Sequence, residues 1–202
     1  MKKDDIKDIS VVILAGGKSS RMGQDKSLMS FKSSDSMIQY QYKKLNKIFR
    51  KVYISSKFDK FDFLDDKSGL IIDTSNVFSP MIALDSIFDK LNEEKIFILS
   101  VDAPLLNNQT IFELINGFDK DIEIVIAKDK LNITHNLCGI FHRNIQKKIK
   151  ECIKNDIHRI NYLIKNSKSK EIIFEDEKQF LNINTIKDYD LAKEILKSKE
   201  RF

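Results

Sequence analysis

The stretch Ile9-Ser10-Val11-Val12-Ile13-Leu14-Ala15-Gly16-Gly17-Lys18-Ser19-Ser20-Arg21-Met22-Gly23-Gln24-Asp25-Lys26 decides the architecture. Its first seven residues are β-branched or otherwise apolar with one exception, the pattern of a strand buried on both faces. That strand runs straight into Gly16-Gly17. The chain has only six glycines, and Gly16, Gly17 and Gly23 take half of them. A glycine pair after a buried strand lets backbone N–H groups turn toward a ligand with no Cβ in the way. Such a nest suits phosphate oxygens, and Arg21 and Lys26 add fixed positive charge. The spacing is neither a Walker A loop, since Gln24 follows Gly23, nor a GxGxxG fingerprint. Two glycines also make an ordinary turn, so the pair alone leaves both readings open.

Outward from this stretch, short apolar runs alternate with helical spacing. Strands are predicted at Val52–Ser55, Leu70–Ile72, Ile96–Val101, Ile122–Ala127, Leu137–Phe141, Glu171–Phe174 and Phe180–Ile183. Helical faces are carried by Ile38/Tyr42/Leu45/Phe49, Leu84/Ile87/Phe88/Leu91 and Ile111/Leu114/Ile115/Phe118. Further helices are expected over Ile145–Ile153, over Ile160–Ile164, and from Thr185 onward with Leu191, Ala192, Ile195 and Leu196 inward. Strands alternating with helices predict an α/β fold, a mostly parallel central sheet with helices on both faces. Residues 1–7 are expected to be a polar tail and 8–202 a single domain.

Composition narrows the function classes. With 42% hydrophobic and 32% charged residues, the 202-residue chain suits a core-forming domain rather than a disordered one. Two prolines exclude a linker-dominated chain. No run approaches the ~18 apolar residues of a membrane span, and the N-terminus is too polar for a secretory leader, so cytoplasm is expected. The net charge of +5 comes from lysines interleaved with acids, without the basic and aromatic clustering of a nucleic-acid surface. Neither a nucleic-acid nor a membrane partner is expected. Cys138 and Cys152 lack zinc or CxxC spacing and read as reduced core residues.

Leu-Ala-Gly-Gly-x-Ser-x-Arg-Met-Gly-x-Asp-Lys, at 14–26, resembles the N-terminal motif of the molybdenum cofactor guanylyltransferases, the MobA family of nucleotidyltransferases. The Met-Gly-x-Asp-Lys ending is the discriminating part, because sugar-phosphate and isoprenoid nucleotidyltransferases close the motif differently. Asp102-Ala103-Pro104, at the end of a buried strand, is similar to the family's Asp-x-Pro metal-binding segment. Taken alone, it is also an ordinary acid before a turn. Phe180-Leu181-Asn182-Ile183-Asn184-Thr185 is similar to a late Val-Asn-Val-Asn-Thr-Pro segment, and Asp73 matches an acidic position on the nucleoside side. Thr185 ahead of Asp188 equally makes a helix cap, and Asp73 equally begins a turn. His135 lies near the family's histidine-containing segment. The chain departs from the family at Ser79-Pro80-Met81-Ile82-Ala83, where Gly-Pro-Leu-Ala-Gly is usual, and at Ser55-Ser56-Lys57, which lacks an asparagine.

The resemblance implies a Rossmann-like nucleotidyltransferase fold and transfer of GMP from GTP to the phosphate of molybdopterin-bound molybdenum, with Mg²⁺ as cofactor. GTP and the molybdenum cofactor would be the substrates, and molybdoenzyme-maturation proteins partners. It assigns catalysis to Arg21, Lys26 and Asp102, with Asp102 as metal ligand. It assigns nucleotide binding to Leu14, Ala15, Gly16, Gly17, Lys26, Asp73 and Asp102, and the acceptor side to Asn182 and Asn184. Backbone N–H groups of Ala15 to Gly17 would hold phosphates. The alternatives are a cytidylyltransferase on the same pterin, a nucleotidyltransferase with another phosphorylated acceptor, and a non-catalytic nucleotide-binding protein.

Overall fold

The computed structural model describes residues 9–17 and 23–199. Seven strands form one sheet: β1 (Ser10–Leu14), β2 (Val52–Ser56), β3 (Leu70–Ile72), β4 (Lys95–Ser100), β5 (Ile124–Asp129), β6 (Thr134–His142) and β7 (Ser169–Phe174). Their order is β3-β2-β1-β4-β6-β5-β7. Every neighbouring pair is parallel except the two that involve β6, which runs antiparallel between β4 and β5. The mostly parallel α/β sheet expected from the sequence is therefore present, with one reversed strand inside it.

Among the described residues, six α-helices accompany the sheet: α1 (Met37–Leu45), α2 (Pro80–Lys90), α3 (Asn108–Asn116), α4 (Gln146–Lys154), α5 (Ile160–Lys165) and α6 (Ile186–Lys199). Side chains alternate across a strand, so β1 feeds two cores. Val11 and Ile13 pack with Ile38 and Leu45 of α1 and Ile111 and Leu114 of α3. Val12 and Leu14 pack with Leu84 and Ile87 of α2, Ile149 of α4 and Leu163 of α5. Cover on both faces explains why β1 has no polar alternation. Within the sheet, a Cβ at Gly139 would lie 2.0 Å from the Val125 carbonyl, so glycine is required where β6 meets β5. Among the described residues no helix is long and apolar enough to cross a membrane.

Two sequence expectations need correction. Phe180–Ile183 is not a strand: a 3₁₀ turn spans Glu177–Phe180, and the chain then runs irregularly to α6. The Leu181 N–H closes that turn on Lys178, and the Ile183 N–H is spent on the Asp102 carbonyl at 2.8 Å. Buried Phe180 and Ile183 produced an apolar signal without a ladder to join. In α6, Ala192 is buried but Leu191 is exposed. The helix packs its inner stripe on a small third cluster around Phe31, Met37 and Leu105, leaving Leu191 outside it.

The topology fixes where a site can form. From β1 the sheet grows to β2 and β3 on one side and to β4 on the other, so a crevice opens beyond the carboxyl ends of β1 and β4. Leu14 is in register with both Ser55 and Ser100, so residues just past each of these positions emerge at one level.

Candidate active site

A cavity of about 380 Å³ lies at this edge, lined by Leu14, Gly16, Gly17, Ser55, Asp73, Phe78, Ser79, Pro80, Ala83, Ser100, Asp102 and Leu137. The walls come from the ends of β1, β2, β3 and β4, the start of α2, and one residue of β6. Much of the surface is apolar, with a few convergent polar groups, as small-molecule sites usually are.

The first polar cluster is built around Lys26. Its Nζ donates to Asp102 Oδ2 at 2.8 Å and to Asn184 Oδ1 at 3.1 Å, and lies 3.4 Å from the Ile183 carbonyl. Three distant segments meet here, and local structure explains each. Lys26 opens a 3₁₀ turn (Lys26–Leu28) capped by Asp25, whose Oδ1 accepts from the Ser27 N–H at 3.0 Å and the Ser27 hydroxyl at 2.7 Å. The other Asp25 oxygen pairs with Lys60. Burial alone would push the Asp25 carboxyl up, but the bonds from Lys60 and Ser27 override it and hold the group below the ordinary aspartate range. Gly23, with φ +69°, takes the left-handed conformation just ahead of this turn.

Asp102 follows β4 in a short turn closed by the Ala103 N–H on the Ser100 carbonyl. Buried Gln41 of α1 donates to the Val101 carbonyl at 2.6 Å and braces that turn from below. Asn184 is held by a reciprocal cap at the start of α6. The Asn184 and Thr185 N–H groups donate to Asp188 Oδ2, and the Asp188 N–H donates to Thr185 Oγ. Thr185 is thus a helix cap, and its neighbour Asn184 is the residue that reaches the cluster. Asn182 is exposed and makes none of these contacts.

The second polar cluster closes the β2–β3 side. Asp73 Oδ2 pairs with Lys57 Nζ at 3.1 Å, and Asp73 Oδ1 accepts from the Ser55 hydroxyl at 3.0 Å. Lys57 also donates to the Ser75 and Val77 carbonyls, each at 2.5 Å. Neither Lys57 nor Lys60 was a candidate from sequence. Lys57 sits one residue past β2, so the strand-end rule would have found it.

The structure thus gathers Leu14, Gly16, Gly17, Lys26, Asp73, Asp102 and Asn184 at one sheet edge. Arg21 lies outside the described residues. Ala15 needs a correction: its N–H donates to the Ser55 carbonyl at 2.8 Å, so the sheet already uses it and it is not available to a phosphate. A Cβ at Gly17 would meet nothing within 4 Å, which leaves open space in front of that loop. Ser79 caps α2 by accepting from the Met81 N–H at 3.1 Å, and Pro80 takes the first helical position. Ser79 and Ala83 therefore belong to a regular helix start whose side chains line the cavity.

The histidines do not converge. His135 stacks on Phe180 with centroids 4.2 Å apart and bonds Asp129 at 3.1 Å, with burial pulling its pKa down against that carboxylate. His142 accepts from the Asn144 N–H, and His158 lies 3.0 Å from Ser79 Oγ. Both cysteines are reduced and buried, and desolvation pushes the Cys138 thiol up to about 12.

Mg²⁺ can be tested against this donor set. Among the described residues no group of three or more His, Cys, Asp or Glu side chains forms a cage. A hard cation held by one carboxylate, phosphate oxygens and water needs none. Asp102 lines the cavity and fits that role, whereas both oxygens of Asp73 are taken by Lys57 and Ser55.

Comparisons with known proteins bear on the family and the fold. Residues 11–170 match the model of the MobA-like NTP transferase domain. The molybdenum cofactor guanylyltransferase of Campylobacter jejuni subsp. doylei is 38% identical over 194 residues, covering 95% of this chain and 99% of the relative. That of Helicobacter pylori strain G27 is 37% identical, covering 98% of each. The crystal structure of molybdopterin-guanine dinucleotide biosynthesis protein A from Archaeoglobus fulgidus superposes with a TM-score of 0.78 at 16% identity, covering 94% of this chain and all of that one.

Proposed function

The chain belongs to the MobA-like NTP transferase family and is a nucleotidyltransferase, and we propose that it transfers GMP from GTP to the terminal phosphate of molybdopterin carrying molybdenum. A phosphate oxygen of the acceptor attacks the α-phosphorus of GTP in line. The α–β phosphoanhydride bond breaks, and pyrophosphate leaves with the electron pair. The acceptor is already an anion at neutral pH, so no general base is required. The protein's task is to position two anions and offset their repulsion.

Gly16 and Gly17 present backbone N–H groups to the phosphates that leave, together with Arg21. Lys26 binds the α-phosphate and stabilises the charge that builds there in the transition state. Asp102 and phosphate oxygens would hold Mg²⁺, which would supply charge neutralisation and polarisation at the reacting phosphoryl group. Asn184 steadies Lys26 from the acceptor side, and Asp73 closes the nucleoside side.

The observation that carries this reading is the Lys26–Asp102 pair, 2.8 Å apart, whose Asp102 lines the same cavity as Gly16 and Gly17. Losing one preorganised group of this kind raises the barrier by about 2.7–4 kcal/mol, roughly 10²–10³ in rate. Lys26→Ala and Asp102→Ala should each lower pyrophosphate release by that factor with an unchanged circular dichroism spectrum. Turnover near that of the wild type in both variants would overturn the assignment.

A further inference from the structure

Lys60 belongs to none of the sequence motifs, yet it joins two parts of the site that lie far apart in the chain. Its Nζ pairs with Asp25 Oδ2 and lies 3.4 Å from the Ala15 carbonyl oxygen. Ala15 directly precedes Gly16-Gly17, and Asp25 caps the turn that presents Lys26. One ammonium therefore grips the chain at both ends of the stretch from Gly16 to Gln24. The link through Asp25 is stiff, because Oδ1 of the same carboxylate accepts from the Ser27 N–H and the Ser27 hydroxyl.

The backbone that carries Lys60 is itself fixed. Its neighbour Phe61 is buried in the core cluster that also holds Val11 and Ile13 of β1. Lys67 Nζ donates to Asp59 Oδ1 at 2.8 Å and to the Phe61 carbonyl at 2.9 Å, which holds the chain on either side. The Lys60 ammonium lies 5.4 Å from the Phe61 ring centroid, and 22% of the side chain is exposed. Exposed ion pairs contribute little because two loose side chains must be ordered. Here the mount is rigid and the carboxylate is already held, so much of that cost is absent.

We propose that Lys60 is a positioning residue for the reaction, fixing the Lys26 turn against the end of β1 and so setting the reach of Lys26 relative to the Gly16–Gly17 backbone. The assignment rests on the nucleotidyl-transfer reading above. Lys60 touches no substrate in this role. It keeps a cation and a glycine nest that act on one triphosphate at a constant separation, and a misplacement on the order of 1 Å costs up to about 10²-fold in rate. Lys60 also neutralises Asp25 beside an anionic substrate, so position and charge have to be separated experimentally.

The test is steady-state pyrophosphate release, with GTP, Mg²⁺ and molybdenum-loaded molybdopterin, by the double variant Asp25→Asn/Lys60→Met. Asparagine keeps the cap and methionine keeps a flexible apolar stem beside Phe61, so the tie is lost with no change in net charge. The variant should lose about 10- to 100-fold in kcat with KM for GTP within about threefold, because the misplaced lysine acts in the transition state. Added to Lys26→Ala, the same two substitutions should change kcat less than about twofold, since no lysine is left to place. Lys60→Arg keeps a cation with donors for both acceptors and should retain most of the rate. The proposal is overturned by a double variant with kcat within about twofold of the wild type. An equal fold loss with and without Lys26, or a loss in Lys60→Arg as large as in the double variant, overturns it as well. Wild-type protein that releases no pyrophosphate from any nucleoside triphosphate overturns the functional reading itself, and this assignment with it.

Discussion

Two lysine–aspartate pairs stand on opposite sides of one cavity, and they differ in burial. Lys26 and Asp102 are 2.8 Å apart with 13% and 20% of their side chains exposed. Lys57 and Asp73 are 3.1 Å apart with 4% and 2% exposed. The first pair is within reach of solvent and of a ligand. On the proposed reading each partner is exchanged when substrate arrives, Lys26 for phosphate and Asp102 for the metal, so no charge is left stranded. The second pair is sealed, and Lys57 has two backbone carbonyls besides its carboxylate. Its charges have nowhere to go, so the pair shapes the wall rather than reacting. On the proposed reading, similar chemistry at neighbouring strand ends serves catalysis at one site and architecture at the other.

The sealed pair should give the largest effect on stability. Lys57→Met leaves the Asp73 carboxylate buried without its cation, and breaking a buried pair from one side costs about 3–5 kcal/mol. Urea denaturation of that variant should show the loss. A midpoint equal to that of the wild type would erase the contrast between the pairs. Lys26→Ala and Asp102→Ala should do the reverse, losing the roughly 10²–10³ in rate given above with little change in the urea midpoint. A smaller effect is expected at Asp25, which shapes the turn that presents Lys26. Asp25→Ala should cost about 1 kcal/mol through the lost cap, and should lower turnover without abolishing it.

The Asp25 carboxyl is held below its ordinary pKa. Its contribution is therefore present above the unfolded pKa, near 4, and is lost as pH falls through the lower folded value. In acid titration below about pH 4, Asp25→Ala should consequently lose less stability than the wild type. The smallest effect concerns Cys138, whose buried thiol is pushed up to about 12. Iodoacetamide at pH 8 should leave it unlabelled in the native protein and label it after denaturation. Rapid native labelling would show that the sheet beneath the site opens.

How much of this was legible in the sequence follows from range. β1 and β4 are long apolar runs whose signal is local, and the motif that ends in Lys26 is contiguous, so both could be read directly. Asp102 ends a buried strand, which placed it at the sheet edge, and its resemblance to the family's Asp-x-Pro segment singled it out. Lys60 could not be read, because its partner Asp25 arrives only through the fold. Lys57 stands one residue past β2 and was within reach of the strand-end rule, but its pairing with Asp73 forms only in the fold. Asn182 and Asn184 looked equivalent under strand alternation. They separated because the chain there has no ladder and the Asp188 cap turns only Asn184 inward. Register is invisible in a sequence, and register is what gives the Ala15 N–H to the Ser55 carbonyl rather than to a ligand.

The most direct test of the account is pyrophosphate release measured with Mg²⁺, molybdenum-loaded molybdopterin and each of the four nucleoside triphosphates in turn. The account predicts acceptor-dependent release with GTP, exceeding that with CTP. Release that prefers CTP, or none with any nucleotide despite measurable binding, would contradict it.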